Sequence, residues 1–219
     1  MSELSTPAQE PLATALQRAG VLFVDIPRTS SSSIRTELAA HFGFPFGKAN
    51  VTQDASGDCQ GYEDHLTAAQ WQQRLDPLTW DALYRFSIVR NPWDRQYSFY
   101  AWRCSRFASR RLDLSFEAYL EALHRHRCQG EPSPLFAYPP SAMSCLDFLQ
   151  DPAGQSLVDQ VFQFERRQEA MLSLSQRLGF RLGSCHIQQV SDGGPGIWSE
   201  RLRRLVAETF ADDLAAFGY

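Results

Sequence analysis

Three observations predict a single α/β domain, a mostly parallel sheet flanked by helices. Short apolar runs of strand length recur at residues 21–26 (VLFVDI), 84–89 (YRFSIV) and 160–164 (QVFQF). Helical patterns separate them, the alternation that lays parallel strands side by side under covering helices. The chain of 219 residues suits one such domain, able to bury about 70% of the surface of its unfolded form, and no internal repeat or domain-sized linker divides it.

Each element follows from local chemistry. Residues 1–20 read as an N-terminal segment, partly disordered, whose first eleven residues are polar and frayed; the domain proper spans 21–219. The first strand is bounded by Pro27, and a serine-rich turn (28–33) leads into a helix through His41, stopped by Gly43 and Pro45. Residues 45–61 carry turn formers without a period and read as a loop. Thr67 caps a short helix that ends at Asp76-Pro77. After the second strand, Pro92 suits the first residue of a helix to about Phe107, because its missing N–H would be unpaired there. Helices are expected over 115–127 and 142–150 around a Pro-rich loop, then the third strand, a helix to Leu178 and a final helix over 198–217.

Composition narrows the function. Net charge is −4, with 43% hydrophobic and 21% charged residues, so the chain is globular and has no general basic field for nucleic acid or an anionic membrane. Any anion site must be local. The run at 21–26 is too short to span a membrane and follows no leader-like segment, and the five cysteines (Cys59, Cys104, Cys128, Cys145, Cys185) are odd in number and form no CxxC pair. Reduced thiols and a cytoplasmic location are expected.

Two segments carry chemistry. In the first, residues 23–34 (FVDIPRTSSSSI), a strand runs through a polar turn into a helix. A helix start presents unpaired N–H groups and partial positive charge at the strand's end. Ser30, Ser31, Ser32 and Ser33 add hydroxyls, and Arg28 adds a planar cation. The plainer reading is that Thr29 or Ser30 caps a helix and the serines solubilise it. The loop is not GxxxxGK[ST]. In the second segment, residues 86–100 (FSIVRNPWDRQYSFY), a strand ends in Arg90, Pro92 opens a helix, and Arg95 and Ser98 share a face. An arginine at a strand's C-terminal end lies where open α/β sheets bind ligands. Its plainer role is an ion pair with Asp94 or another surface carboxylate.

Together these segments resemble the sulfotransferase superfamily, in its carbohydrate-sulfotransferase-like branch. Residues 26–33 (IPRTSSSS) stand where that family reads close to IPKTGGTS, and residues 90–100 match its RNPxxRxxSxY motif at every fixed position. Weaker similarity continues at 64–68, 161–165, 178–179, 213–214 and 217–219, so the resemblance spans roughly residues 21–219. It implies a P-loop-kinase-like sulfotransferase fold and transfer of a sulfuryl group from 3′-phosphoadenosine 5′-phosphosulfate (PAPS) to an acceptor hydroxyl of a carbohydrate or other small alcohol. The product nucleotide is PAP, and no metal is required. By position, Arg28 would donate to the bridging oxygen of the leaving phosphate. Thr29 and Ser30–Ser33 would cradle the 5′-phosphosulfate, while Arg90 and Ser98 would hold the 3′-phosphate. The chain departs from the family where serines replace two glycines and arginine replaces lysine. A helix start needs only negative φ, and an arginine fork suits an anion with several oxygens, so both changes are expected to be tolerated.

The same resemblance makes His65 the base for the attacking hydroxyl, as its ordinary pKa of about 6.5 suits proton abstraction near neutrality. Read without it, a lone loop histidine is structural or solvated. Glu63 and Asp64 could orient His65 or replace it as base. His124 and His126, two apart on a helix, have poor metal geometry. Arg103, Arg106, Arg110 and Arg111 form either a solvated helix end or a rim for an anion. Tyr62, Trp71, Trp80, Trp93 and Trp102 suit the core or a stacking platform, and the loop at 186–196 could close over the nucleotide. The alternatives are a P-loop-like nucleotide kinase, disfavoured by the missing GK[ST], and a non-catalytic nucleotide-binding module.

Overall fold

A computed structural model describes residues 12–44, 65–106, 112–183 and 197–219. In chain order it contains α1 (Leu12–Ala19), β1 (Val21–Val24), α2 (Ser31–Phe42), α3 (Ala68–Arg74), α4 (Pro77–Ala82), β2 (Tyr84–Val89) and α5 (Pro92–Arg106). There follow α6 (Phe116–Cys128), α7 (Leu146–Leu149), β3 (Gln160–Gln163), α8 (Arg167–Leu178), α9 (Glu200–Thr209) and α10 (Ala211–Phe217). The α/β class is as the sequence predicts.

The three strands form one parallel sheet in the order β1-β2-β3. Val24 pairs with Ser87 at one junction and Val89 with Gln163 at the other. Strands covered on both faces read as continuous apolar runs, and all of β1 is buried. Phe23 stacks on Phe86 with ring centroids 5.0 Å apart. Ser87, a polar residue within β2, donates its hydroxyl to the Val24 carbonyl at 2.7 Å. Because the strands run the same way, their C-terminal ends share one sheet edge. The turns beginning at Asp25, Arg90 and Phe164 therefore leave from that edge.

Several helices begin where side chains satisfy their first N–H groups. Thr67 and Gln70 form a reciprocal capping box on α3. Asp76 accepts from the Thr79 N–H with Pro77 at the first position of α4. Ser115 caps α6 and Ser199 caps α9. One apolar cluster unites the sheet with Ile34, Leu38, Trp71, Trp80, Phe148 and Leu174. A second joins α6 to α9 through Phe116, Tyr119, Leu123, Leu202, Val206 and Phe210.

Four expectations change. Part of the expected N-terminal segment is helix α1, with Ala15 and Leu16 buried against the core. Strand β1 stops at Val24, and Asp25 and Ile26 lead irregularly into a turn over 27–30. The helix expected over 142–150 is only α7, whose first N–H groups at Cys145 and Leu146 donate to the Asp213 carboxylate at 2.8 and 2.9 Å. The final helix breaks at Phe210 (φ −125°, ψ 35°), which turns into the second cluster. No helix among the described residues is long and apolar enough to cross a membrane.

Candidate functional site

The two segments singled out in the sequence interlock at the sheet edge. Arg28 donates from Nε to Ser98 Oγ at 2.9 Å. Arg90 Nη1 reaches the Arg28 carbonyl at 3.4 Å. Arg95, buried beneath the first turn, donates from Nε to the Pro27 carbonyl at 3.2 Å and from Nη1 to the Met143 carbonyl at 2.8 Å. Its Nη2 has no hydrogen-bond partner among the described residues. The arginines thus bind the first turn to α5 rather than standing as separate sites. Arg90 also lies 4.4 Å from the Phe164 ring centroid and 3.9 Å from Asp94 Oδ2, so the alternative pairing with Asp94 is present but long.

The first turn differs from the sequence expectation in its backbone. Arg28 and Ser30 both have φ 70°, in the left-handed region, where negative φ was expected. A side chain there costs about 1–2 kcal/mol. Ser30 therefore holds a backbone conformation that suits glycine without being glycine. The positive φ has a physical cause: Ser30 precedes α2 as its cap residue and the chain must reverse before the helix begins. Thr29 holds that reversal by donating its hydroxyl to the Ile26 carbonyl at 2.8 Å. The Ser30 side chain makes no cap hydrogen bond, and its buried Oγ has no hydrogen-bond partner among the described residues. Ser31 is buried in the first turn of α2, while the Ser32 carbonyl accepts from Thr36 and Ser33 N donates to the Ser30 carbonyl at 3.1 Å.

The start of α5 is different. Asn91 Oδ1 accepts the Asp94 N–H at 2.9 Å, and both Asn91 N and Nδ2 donate to Glu165 Oε1 at 2.8 Å. Tyr219 donates its hydroxyl to the other Glu165 oxygen at 2.9 Å. Protein groups therefore cap α5, whereas α2 carries no side-chain cap. Of the two helix starts, that of α2 is the better suited to an anion.

His65 sits at the same sheet edge, 14% exposed, with an unusual φ of 72°. Its Nδ1 is 3.1 Å from the Asp25 carbonyl and 3.1 Å from Asp25 Oδ1. Arg35 Nη1 lies 3.0 Å from the other carboxylate oxygen. These approaches to the carboxylate are close but poorly directed as hydrogen bonds, so charge dominates the attraction. Burial would raise the Asp25 carboxyl, but the charge of protonated His65, that of Arg35 and polar contacts from His65 and Ser31 outweigh it and hold the pKa below the usual carboxylate value. Sequence reading missed Asp25 and Arg35. The available signal was a charge interrupting the apolar run at 21–26. Glu63 and Asp64 lie outside the described residues, as do Tyr62, Arg110, Arg111, Cys59, Cys185 and the loops at 45–61 and 186–196.

Other candidates separate by their contacts. Trp71 and Trp80 are core residues, and Trp93 donates to the Arg203 carbonyl at 3.0 Å. The Trp102 ring lies 5.9 Å from the Arg28 guanidinium, which makes Trp102 the tryptophan of this group beside the turn. His124 meets Thr209 Oγ1 and His126 the Glu131 carbonyl, so the two diverge. Arg103 donates to the Leu135 carbonyl. A shallow depression lined by Arg201, Arg204, Leu205 and Glu208 draws only on α9. Cys104, Cys128 and Cys145 are free thiols, and burial pushes Cys145 up to about 12. Comparison with protein-family models, curated proteins and solved structures gives no match.

Proposed function

We propose that the chain is a PAPS-dependent sulfotransferase acting on an acceptor hydroxyl of a carbohydrate or another small alcohol, in the cytoplasm and without a metal. The observation that carries this reading is the 2.9 Å bond from Arg28 to Ser98. It joins the turn expected to meet the phosphosulfate to the helix expected to meet the 3′-phosphate. A serine hydroxyl has one donor and two acceptor positions, so Ser98 can accept from Arg28 and still donate to a phosphate oxygen.

In the proposed reaction the acceptor oxygen attacks sulfur in line with the bridging oxygen of PAPS. His65 takes the hydroxyl proton, the new S–O bond forms as the bridging S–O bond breaks, and PAP leaves with the electron pair. Arg28 and the start of α2 meet the negative charge that gathers on the departing phosphate, the kind of interaction that lowers a barrier because it strengthens in the transition state. Thr29 and Ser30–Ser33 shape the turn, and Arg90 with Ser98 supplies the 3′-phosphate contacts.

Calorimetry and thermal shift test the reading. PAP at about 100 times its dissociation constant should stabilise the fold by roughly 2.7 kcal/mol, and 5′-AMP, lacking the 3′-phosphate, far less. Labelled PAPS should then transfer sulfate to an aliphatic alcohol. Equal shifts with PAP and ATP would remove the Arg90–Ser98 assignment. PAP binding without any transfer would favour the non-catalytic module.

A further inference from the structure

We infer that Asp25 is the positioning residue of His65: its backbone carbonyl fixes which ring nitrogen carries the proton, and its carboxylate steadies the imidazolium that forms when the other nitrogen accepts one. This deepens the proposed function and rests on its reading of His65 as the base.

Two oxygens of one residue converge on one nitrogen. The Asp25 carbonyl and Oδ1 are each 3.1 Å from His65 Nδ1. Neither oxygen carries a proton to donate at neutral pH, so a bare lone pair on Nδ1 would face two acceptors. The neutral ring must therefore be protonated at Nδ1, which leaves the lone pair on Nε2, and it is Nε2 that takes the acceptor's proton. The arrangement follows the logic by which a buried carboxylate holds a catalytic imidazole in one tautomer without itself becoming protonated.

The surroundings support a role beyond packing. Asp25 is 1% exposed, just beyond a strand whose residues are all apolar. A buried carboxylate there is costly unless cations attend it. Arg35, from α2, meets the oxygen that His65 does not, so the carboxylate stays ionised while the ring is neutral. Asp25 thus meets the ring directly, and Arg35 meets Asp25. When His65 takes a proton, the cluster of carboxylate, guanidinium and ring passes from neutral to a single positive charge beside the turn that receives the leaving anion. His65 also keeps φ 72°, a left-handed conformation uncommon for a residue other than glycine.

Nitrogen-15 NMR of His65 in the whole protein tests the pairing without turnover. The expected spectrum at neutral pH has Nδ1 protonated and Nε2 bare. In Asp25→Asn the imidazolium loses a neighbouring negative charge, so the His65 titration midpoint should fall by about one pH unit or more. In Arg35→Met, which keeps Asp25 in place, that midpoint should rise. With PAPS and an aliphatic alcohol, Asp25→Asn should lower turnover by about 10²-fold and move the rising limb of the pH–rate profile to lower pH. PAP affinity should stay within about threefold. A bare Nδ1, or midpoints unmoved in both variants, would overturn the pairing. Unchanged turnover in Asp25→Asn would overturn its role in the reaction. Failure of the unsubstituted protein to bind PAP or transfer sulfate would instead sink the sulfotransferase reading and leave the NMR result to decide the pairing. If Asp25→Asn does not fold, the tautomer of the unsubstituted protein and the Arg35→Met midpoint decide it.

Discussion

Ser30 occupies a left-handed backbone position with no compensating side-chain bond. Glycine relieves about 1–2 kcal/mol of such strain but returns roughly half to one through the greater freedom of the unfolded chain. Ser30→Gly should thus stabilise by up to about 1 kcal/mol, raising Tm by roughly 2–4 °C in a domain of this size, as calorimetry would read. A lowered Tm would mean that the buried hydroxyl has a partner worth more than the strain. At this scale the sequence was informative about identity and poor about contact. Arg28, Arg90 and Ser98 announce themselves because each follows or shares a strand–turn–helix unit. Their mutual bonds span 62 and 70 residues, and no local pattern encodes them. Asp25 and His65, 40 residues apart, meet for the same non-local reason.

Asn91 and Glu165 show an element held from outside itself. Asn91 caps α5 through the Asp94 N–H, and Glu165, just beyond β3, binds Asn91 in turn. Asn91→Ala should cost about 1 kcal/mol for the lost cap and more for the carboxylate left without its Nδ2 donor. Urea unfolding should register a lower midpoint at an unchanged slope. An unchanged midpoint would show that Glu165 and the backbone suffice. Helices with a capping residue and a clear stop were legible, α3, α6 and the start of α5 among them. The break at Phe210 was not, since no glycine or proline marks it and the apolar spacing of Leu202, Val206 and Phe210 runs through it. Helix α1 was hidden by the polar residues before it, although Leu12, Ala15, Leu16 and Ala19 carry helical spacing.

Charge sets the behaviour of the whole molecule in acid. Asp25, Asp147 and Asp159 have pKa values below the ordinary carboxylate value. For Asp25 and Asp147, burial opposes the lowering and cationic partners outweigh it, and for Asp159 the Arg85 hydrogen bond leads. Each group binds protons more weakly folded than unfolded, so its stabilisation is present above the unfolded value of about 4 and is lost as pH falls through the lower folded value. Asp213 works oppositely. Burial raises it despite the Cys145 and Leu146 N–H groups, and protonation favours the fold as pH falls. With Asp76 and Glu121, lowered by hydrogen bonds from Thr79 and Arg201, five groups against one predict stability that is level from about pH 5 to 7 and declines below about 4, measurable by circular dichroism at stepped pH. A rise in stability between pH 5 and 4 would mean that Asp213 dominates. The separation of 5.9 Å between the Arg28 guanidinium and the Trp102 ring has an optical consequence. An indole's emission wavelength follows the electric field across its ring, and a fixed positive charge at that range sets much of the field. Drawing Arg28 toward an anion would change it, so the protein carries its own fluorophore beside the turn, and the emission of Trp102 should report occupancy of the turn without any added label.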